Sequence, residues 1–393
     1  MNKDEYFPSM KRRVISCSIV VHFILCALLF FITSCSKKEL NEVNIGFIGP
    51  LSTRATDLGI GPANAMELAV EQYNNNRQEG EPRVNLYVED DQWEKDKALP
   101  AYLKLRKEHD IKVLFISNTD GTIALQDQIM QDNVVAVNPI NNDALLSTMN
   151  RNTFKIAKST EDANALIAIR IIELGLKKVM IMHYPNDFMT RATGAAKALL
   201  DQAGIENKVV KTTIGDTDFN SILKSGKREE YDAYVFFGYK EFGYAMKQAR
   251  DLGIEAPFFG STTLLDPEFY NNSEGAIIGT ECSFFTPVDG NYVLAKEFLD
   301  GYEMMFGEQP HSVWPPMQSY DAINLVLNEI KKVNDTKPKN ESFGDWLVKK
   351  LFKVRYYQGV CGNLSIAEDG SSRGIYFSLY QYDSKGKLVK VRR

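Results

Sequence analysis

Short apolar segments typical of β-strands alternate with segments of helical periodicity along most of this 393-residue chain. The first unit is VNIGFIGPLSTRATDLGIGPANAMELAVEQYN, residues 43–74, where a strand is followed by a polar loop and a helix. Pro62 suits the first turn of that helix, where its missing N–H is not needed. Because strands separated by helices pair in parallel and are covered on both faces, the pattern predicts an α/β fold.

The pattern occurs twice, with about four strand–helix units before Thr153 and about four after it. No glycine- or proline-rich linker separates the halves, which argues against independently tumbling domains. A strand at residues 277–285 follows, and then come helices at 292–306, 317–333 and 343–353 and short strands from Gly362 onward. The sequence therefore predicts two consecutive α/β lobes.

The N-terminus resembles a lipoprotein signal. A basic KRR at residues 11–13 precedes an apolar run at 14–32, and ITSC ends at Cys35. An uncleaved membrane anchor is the alternative, because the run is just long enough to span a bilayer. The small residues before Cys35 favour cleavage after residues 1–34, with a lipid on Cys35. Residues 35–42 would then be the lipidated cysteine and its tether.

Composition excludes some partners. The net charge of −5 and the lack of a basic block argue against nucleic acid as a partner.

After Cys35 the remaining cysteines are Cys282 and Cys361. In an oxidising compartment they could form a disulfide, and two buried thiols are as good an interpretation.

Enzyme signatures are weak. His109, His183 and His311 follow Cys35, and they have no metal-ligand spacing. No G-x-S-x-G elbow or P-loop follows a strand. A hydrolase would depend on His183 alone, so we expect a protein that is not an enzyme and has no metal or cofactor.

Polar residues follow the predicted strands of both halves. In open α/β sheets the ligand binds at the carboxyl ends of the strands, so these residues are candidates. Taken singly, most of them are better explained by ordinary turn chemistry. The candidates are Ser52, Thr53, Arg54, residues 118–122, Asn138, Asn141 and Asn142, then residues 184–188, Tyr239, Lys240 and residues 261–263.

Segments spread in order over residues 43–393 carry a resemblance to one family. They are IGFIGPLS (45–52), ELAVEQYN (67–74), VEDDQWEKDKA (88–98), GDTDFNSIL (215–223), FGYKEFGYAMKQARDLGI (237–254), YDAINLVLNEI (320–330) and GNLSIAEDGSSRGIYFSLYQY (362–382). In these segments the chain resembles type I periplasmic solute-binding proteins of the leucine/isoleucine/valine-binding kind.

The resemblance implies two Rossmann-like lobes with parallel sheets, joined by three hinge crossovers, and a ligand that holds the lobes closed. By similarity the crossings fall near residues 153–158, 280–285 and 369–374. The first lobe would comprise residues 43–155 plus 285–370, and the second residues 156–284 plus 371–393.

The resemblance also implies a ligand site. The family's carboxylate clamp falls on residues 119–122 and 140–142, and its tyrosine after the strand is retained as Tyr239. Phe188 stands in place of a second tyrosine, and Thr262 lies near the position of the acidic partner of a ligand ammonium. The predicted ligand-binding residues are Ser52, Arg54, Thr119, Asp120, Thr122, Asn138, Asn141, Asn142, Phe188, Tyr239 and Thr262.

These departures from the family pattern change the expected ligand. Asp120 would repel a carboxylate held beside it, whereas Arg54 could meet an anion. Without an acidic partner near Thr262, an α-ammonium would be a poorly paired buried charge, which is costly. We therefore expect a small polar molecule, amino-acid-like or otherwise polar or anionic, rather than a branched-chain amino acid.

Two functions remain open. The first is a membrane-anchored solute-binding lipoprotein for ABC-type uptake or sensing, with a permease as a possible partner. The alternative is an interaction lipoprotein on the same fold that regulates an envelope enzyme. This alternative is motivated by Asp120, Phe188 and Thr262, which depart from the family's ligand-binding residues. Both imply a periplasm-facing protein of the bacterial envelope, and we expect a monomer.

Overall fold

The alternation of strands and helices is present in the computed structural model, which describes residues 39–52, 55–142, 144–285, 292–374 and 377–391. The elements belong to one compact unit, Asn41–Arg393. The strands are β1 (Glu42–Gly49), β2 (Arg83–Asp90), β3 (Val113–Ile116), β4 (Val135–Asn138), β5 (Thr153–Lys155), β6 (Lys178–His183), β7 (Glu206–Lys211), β8 (Ala233–Phe237), β9 (Phe258–Gly260), β10 (Glu281–Phe285), β11 (Tyr357–Gly359), β12 (Gly362–Ile366), β13 (Ser372–Arg373), β14 (Phe377–Tyr382) and β15 (Leu388–Lys390).

These strands form two main sheets, one for each half of the sequence pattern. The first has the order β2-β1-β3-β4-β5, and all of its pairs are parallel. The second has the order β15-β14-β10-β9-β8-β6-β7, in which β6 to β10 pair in parallel and β14 and β15 pair antiparallel. A small sheet, β11-β12-β13, lies beside them. The predicted two-lobed α/β fold is confirmed.

Helices cover both sheets. They are α1 (Ile60–Asn75), α2 (Lys95–His109), α3 (Thr119–Ala124), α4 (Gln126–Asp132), α5 (Thr160–Glu173), α6 (Asp187–Gln202), α7 (Asn220–Glu229), α8 (Glu241–Asp251), α9 (Pro267–Asn272), α10 (Val293–Phe306), α11 (Trp314–Ile330), α12 (Val333–Thr336) and α13 (Phe343–Leu351). None of the helices in the described part of the chain is long and apolar enough to cross a membrane.

Helix α1 shows why the first unit folds as predicted. It begins at Ile60, so Pro62 lies in its first turn. Leu68 and Ala69 follow Ala65 by three and four residues, and all three are buried, which gives the helix one apolar face. That face lies on β1 and β2 and against α11.

Helices α10 and α11, which follow β10, return to the first lobe. Helix α11 packs along α1, where the Tyr320 hydroxyl donates to Gln72 Oε1. Helix α10 also contacts α1, and Asn64 Nδ2 donates to the Tyr302 hydroxyl at 3.0 Å. The first lobe is therefore built from two separate parts of the chain.

The crossings run side by side between the lobes. The Lys155 N–H at the end of β5 donates to the Gly370 carbonyl at 2.9 Å, and Ser372 Oγ donates to the Ala157 carbonyl at 2.5 Å. Lys155 is buried, and its Nζ donates to the Asp369 carbonyl. Burial lowers the pKa of Lys155. The first and third crossings are thus tied together by one main-chain hydrogen bond and two that side chains donate to carbonyl groups.

Some predicted boundaries are wrong. Strand β10 begins at Glu281 rather than at residue 277, because Glu274, Gly275 and Gly279 adopt left-handed backbone conformations that interrupt an extended chain. The sequence pattern predicts a strand at residues 153–157, but β5 ends at Lys155, where the chain leaves the sheet to cross over. Helix α7 continues to Glu229, whereas the sequence pattern predicts its end five residues earlier, at residue 224.

The cysteines resolve the alternative left open by the sequence. Cys282 and Cys361 are both free and buried. Burial raises the pKa of Cys282 to about 12 and that of Cys361 well above its usual range. The structure therefore has two unreactive buried thiols rather than a disulfide.

Asp321 in α11 clamps the turn between β11 and β12. It is buried, and its carboxylate accepts the N–H groups of Val360 at 2.7 Å and Cys361 at 2.8 Å. A Cβ on Gly359 would lie 2.3 Å from Asp321 Oδ1, so only glycine fits there. Burial is the main cause that raises the pKa of Asp321 to about 7.

The Asp321 carboxyl makes stability depend on pH. Its pKa is about 7 in the folded chain and 3.8 as its reference value, so between these values the folded state binds more protons than the unfolded state. The contribution of Asp321 to the free energy of unfolding should therefore fall as pH rises from 4 to 7. The fall should be at most about 1.4 kcal/mol per pH unit. Urea unfolding of the wild type and Asp321→Asn at several pH values measures it.

The Asp321→Asn variant should show a flatter pH profile and a lower stability at pH 5, because the amide nitrogen cannot accept a main-chain N–H. The loss at pH 5 should be about 1–3 kcal/mol. Asp335→Asn, at an exposed aspartate of α12, is the control and should leave the profile unchanged. Identical profiles for wild type and Asp321→Asn would contradict the assignment.

Candidate functional site

The carboxyl ends of the parallel strands bring the predicted loops together in each lobe. In the first sheet Gly49 pairs with Asp90, so the loops after β1 and β2 leave from the same edge. In the second sheet His183 pairs with Phe237, which does the same for the loops after β6 and β8. These edges, called here the first and second edges, carry the predicted ligand-binding residues.

Ser52 on the first edge is held in place by Asp90. The Asp90 carboxylate accepts hydrogen bonds from Ser52 Oγ at 2.5 Å, the Leu51 N–H at 2.9 Å and the Gln92 N–H at 2.8 Å. Burial alone raises the pKa of Asp90, but these hydrogen bonds outweigh burial and lower it. Asp90 is therefore ionised at neutral pH and accepts the hydrogen bond that the Ser52 hydroxyl donates, which leaves Ser52 Oγ as an acceptor toward a ligand.

Asn138 is the centre of a network behind the first edge. Its buried side chain accepts the Ile140 N–H at 3.0 Å and the Asn141 N–H at 2.8 Å, and it donates to Thr122 Oγ1 at 3.0 Å. Thr122 Oγ1 donates in turn to the Asn118 carbonyl at 2.8 Å. Because these groups are used within the protein, Thr122 and Asn138 position the loops on which Thr119 and Asn141 lie.

Thr119, Asp120, Asn141 and Asn142 lie around this network. Asn141 Nδ2 donates to Thr119 Oγ1 at 3.1 Å, which joins the loops after β3 and β4. Thr119 is half-buried and Asp120 is exposed. Asn142 Nδ2 donates to the Ser372 carbonyl at 3.1 Å. The first edge is therefore linked to the third crossing.

Tyr239 provides a phenol on the second edge. Its ring packs edge-to-face on Tyr184 with centroids 4.7 Å apart, and its hydroxyl accepts Asn186 Nδ2 at 3.3 Å. Asn186 also caps α6 by accepting the Met189 N–H at 2.7 Å. Burial raises the pKa of Tyr239, so the phenol stays neutral. A helix-capping residue thus orients the hydroxyl.

The other predicted residues differ in accessibility. Thr262 is buried in the short 3₁₀ turn Thr262–Leu265 that follows β9. Arg54 and the side chain of Phe188 lie outside the described residues, as does Cys35. Their roles stay predictions.

Charged side chains from the two lobes lie close together. His311, which precedes α11, places Nε2 3.9 Å from Asp266 Oδ1 at the start of α9. Asp57, in the loop after β1, interacts electrostatically with both and with the Lys240–Glu268 ion pair. Burial is the main cause that raises the pKa of Asp57 and of Asp266. The loops after β1 and β9 therefore face each other across the lobes.

This interlobe charge cluster (Asp57, Lys240, Asp266, Glu268 and His311) was missed by sequence reasoning. Lys240 alone was a candidate, as a residue that follows a strand. Asp266 carries one local signal, since Asp-Pro is a helix start and its side chain accepts the Glu268 N–H at 2.8 Å. The contact between lobes has no sequence signal, because its members come from distant segments.

The described residues give little support for a metal site or for a catalytic base. Within the described ranges, no group of three or more His, Cys, Asp or Glu side chains could hold a metal ion. His183 is buried with Nδ1 2.9 Å from the Tyr184 carbonyl, and burial lowers its pKa. This arrangement fixes the imidazole to the backbone at the strand end.

Comparison with known proteins gives the family. The chain matches the periplasmic binding protein family over residues 42–387. It belongs to that family. Membership makes the chain a binding protein of the bacterial envelope type, and it accounts for two lobes that meet at their strand ends. No curated protein matches this periplasmic binding protein.

Solved structures show the same architecture. A leucine-binding protein from Thermotoga maritima has a TM-score of 0.75 and 19% identity, covering 89% of this chain and 98% of its own. A branched-chain amino acid binding protein from Streptococcus pneumoniae, in complex with isoleucine, has a TM-score of 0.73 and 22% identity, with 89% and 100% covered. A solute-binding protein from R. palustris, in complex with benzoate, has a TM-score of 0.74 and 18% identity, with 89% and 95% covered. At these identities the likeness establishes the fold.

Replacing Asn138 should destabilise this periplasmic binding protein. Asn138→Ala leaves the N–H groups of Ile140 and Asn141 without their buried acceptor, so we expect a loss of about 2–4 kcal/mol in the free energy of unfolding. Urea denaturation followed by circular dichroism measures it. Asn142→Ala, at a half-buried position with one hydrogen bond, is the matched control and should cost less than about 1.5 kcal/mol. Equal losses would show that Asn138 is not the centre of the network.

Proposed function

We propose that this periplasmic binding protein is an envelope lipoprotein, anchored through Cys35, that captures a small polar or anionic molecule between its lobes. Capture serves ABC-type uptake or sensing, with a permease or a sensor as partner. The observation that carries the proposal is the approach of Asp57 and His311 to Asp266. It brings loops of both lobes together, so a molecule between them can contact both and stabilise the closed arrangement.

The chemistry of the two edges supports a polar ligand. The first edge offers the Ser52 hydroxyl, the Thr119 hydroxyl and the Asn141 amide, and the second offers the Tyr239 phenol. The leucine, isoleucine and benzoate named for the related structures each carry a carboxylate. The Thr119 hydroxyl, the Asn141 amide and the Tyr239 phenol can donate hydrogen bonds to such a group, whereas Ser52 Oγ can accept a hydrogen bond from another part of the ligand.

The organisation of the chain is part of the proposal. Residues 1–34 are the signal peptide, and residues 35–42 are the lipidated cysteine and tether. The first lobe comprises residues 43–155 plus 285–370, and the second residues 156–284 plus 371–393. The paired first and third crossings support these divisions, and the protein functions as a monomer.

A ligand should raise the melting temperature and compact the protein. Thermal shift on the purified full-length lipoprotein, over amino acids, small organic acids, amides and sugars, identifies it. A ligand at one hundred times its Kd should add about 2.7 kcal/mol of stability. Small-angle X-ray scattering should then show a smaller radius of gyration if open conformers close.

A screen in which no compound shifts the melting temperature would contradict the proposal. It would favour the alternative, an interaction lipoprotein that regulates an envelope enzyme. In that case a stoichiometric envelope partner should bind the protein without any change in radius of gyration.

One variant from each lobe tests whether both contact the ligand. Asn141→Ala and Tyr239→Phe should each weaken binding of the identified ligand about tenfold, because each removes a hydrogen-bonding group. Calorimetric titration measures the change. Tyr87→Phe is the matched control, since Tyr87 stacks on His109 with centroids 3.6 Å apart, in the middle of β2. If only one lobe's variant weakens binding, the ligand is not held between the lobes.

A further inference from the structure

Asp57 is fixed at the rim of the first lobe. It is half-buried and lies in the 3₁₀ turn Thr56–Leu58, which follows β1. Gly59 ends this turn, and a Cβ on it would lie 1.9 Å from the Pro50 carbonyl oxygen. The turn is therefore packed closely against the chain that leaves β1, and the Asp57 carboxylate moves with the first lobe.

Asp266 is fixed at the rim of the second lobe. It caps α9, because its Oδ1 accepts the Glu268 N–H at 2.8 Å and Pro267 is the first residue of the helix. His311 Nε2, which belongs to the first lobe, lies 3.9 Å from the same Oδ1. Because each partner is attached to its own lobe, the distance between them depends on how far the lobes have closed.

Negative charge is in excess in the interlobe charge cluster. Among the described residues, three carboxylates in it face one ammonium and one imidazole. These groups belong to Asp57, Asp266, Glu268, Lys240 and His311. The hydrogen bond to Glu268 is the main cause that raises the pKa of Lys240, so the ammonium keeps its charge at neutral pH. It can balance only one of the carboxylates while the imidazole is neutral.

Two further titratable groups face the cluster from neighbouring elements. Glu241, the first residue of α8, acts on Lys240 and adds negative charge on the second lobe. Tyr382 in β14 acts on Asp266, but burial is the main cause that raises the pKa of this phenol, so it stays neutral. Neither group supplies positive charge to the cluster.

Acidification adds positive charge to the cluster. Histidine is the side chain that gains its charge between pH 8 and 5, and the His311 imidazolium faces both Asp57 and Asp266. Because the imidazole and the carboxylates interact, a proton that they take up belongs to the cluster as a whole. The attraction between the lobes therefore strengthens as the pH falls through this range.

The two aspartates act in the same direction. Burial is the main cause that raises the pKa of both, and the carboxylates of Asp266 and Glu268 raise the pKa of Asp57 further. A carboxyl group whose pKa rises when the lobes close binds more protons in the closed state than in the open state. Its protonation favours closing at low pH, and this contribution is lost as the pH rises through the raised pKa.

We propose that the interlobe charge cluster is a pH-sensitive latch, which holds the two lobes together more strongly as the pH falls from 8 to 5. The observation that carries the proposal is the contact of His311 with Asp266 across the lobes. The latch acts with or without a ligand, so it goes beyond the proposed function. In a solute-binding protein it would make capture tighter, and release slower, in acidic surroundings.

Energy transfer between two dyes measures the latch in the ligand-free, full-length lipoprotein. Glu67→Cys on α1 and Asn271→Cys on α9 place one exposed thiol on each lobe. Cys282 and Cys361 are buried, so they do not compete for the dyes. The ratio of closed to open molecules should rise about fivefold from pH 8 to pH 5, which is the size expected of a partly exposed ion pair.

Two variants in this labelled protein should change the pH profile in different ways. His311→Gln removes the titrating imidazole, so the ratio should match the wild type at pH 8 and should rise less than about twofold by pH 6. Asp57→Asn removes one carboxylate and keeps its shape, so the ratio should already be raised about threefold at pH 8.

His109→Gln is the matched control. His109 stacks on Tyr87 and precedes β3, at the end of the first sheet opposite the rim. This variant removes a histidine outside the cluster and should keep the wild-type pH profile.

The outcomes separate this inference from the proposed function. A wild-type ratio that does not change between pH 8 and 5 overturns the latch, and so does a wild-type profile in both His311→Gln and Asp57→Asn. Either result leaves the solute-binding function standing, because the measurement contains no ligand. A thermal-shift screen without a hit overturns the solute-binding function and leaves the latch standing.

Discussion

The main-chain hydrogen bond from Lys155 to Gly370 is the contact on which the arrangement of the two lobes depends. It holds the first and third crossings side by side at the point where the chain leaves the first sheet. Each crossing is only a few residues long, and an extended residue spans at most about 3.6 Å. The sheets therefore cannot separate far, and the loops at their carboxyl ends are kept within reach of each other. Parallel pairing then places the polar loops of each sheet on one edge.

The fold could be predicted because its determinants are local and repeated. The strands β3 and β4 are fully buried runs of four residues, and such runs between helical segments are typical of parallel sheets. The start of β10 could not be predicted from hydrophobicity, because Ile277 is apolar and buried yet belongs to a turn. The left-handed conformations of Glu274 and Gly275 decided that boundary, and glutamate gives no sign of adopting one.

The sequence predicts where the candidate site lies. It does not predict which of the residues there face the ligand and which hold the loops in place. Strand ends located Ser52, Thr122, Asn138 and Tyr239, because the ligand crevice of α/β sheets is at those ends. Which of these residues faces the ligand depends on the hydrogen bonds that form in the folded chain. The side chains of Thr122 and Asn138 form their hydrogen bonds within the protein.

The charged groups at the rim of the space between the lobes come from both lobes. Asp57 and Asp266 approach each other at the rim. Burial is the main cause that raises the pKa of both, and repulsion between the two carboxylates makes their approach unfavourable on its own. His311 and Lys240 offset that repulsion from opposite lobes. Closing of the lobes therefore depends on basic groups contributed by both lobes to offset the acids at the rim.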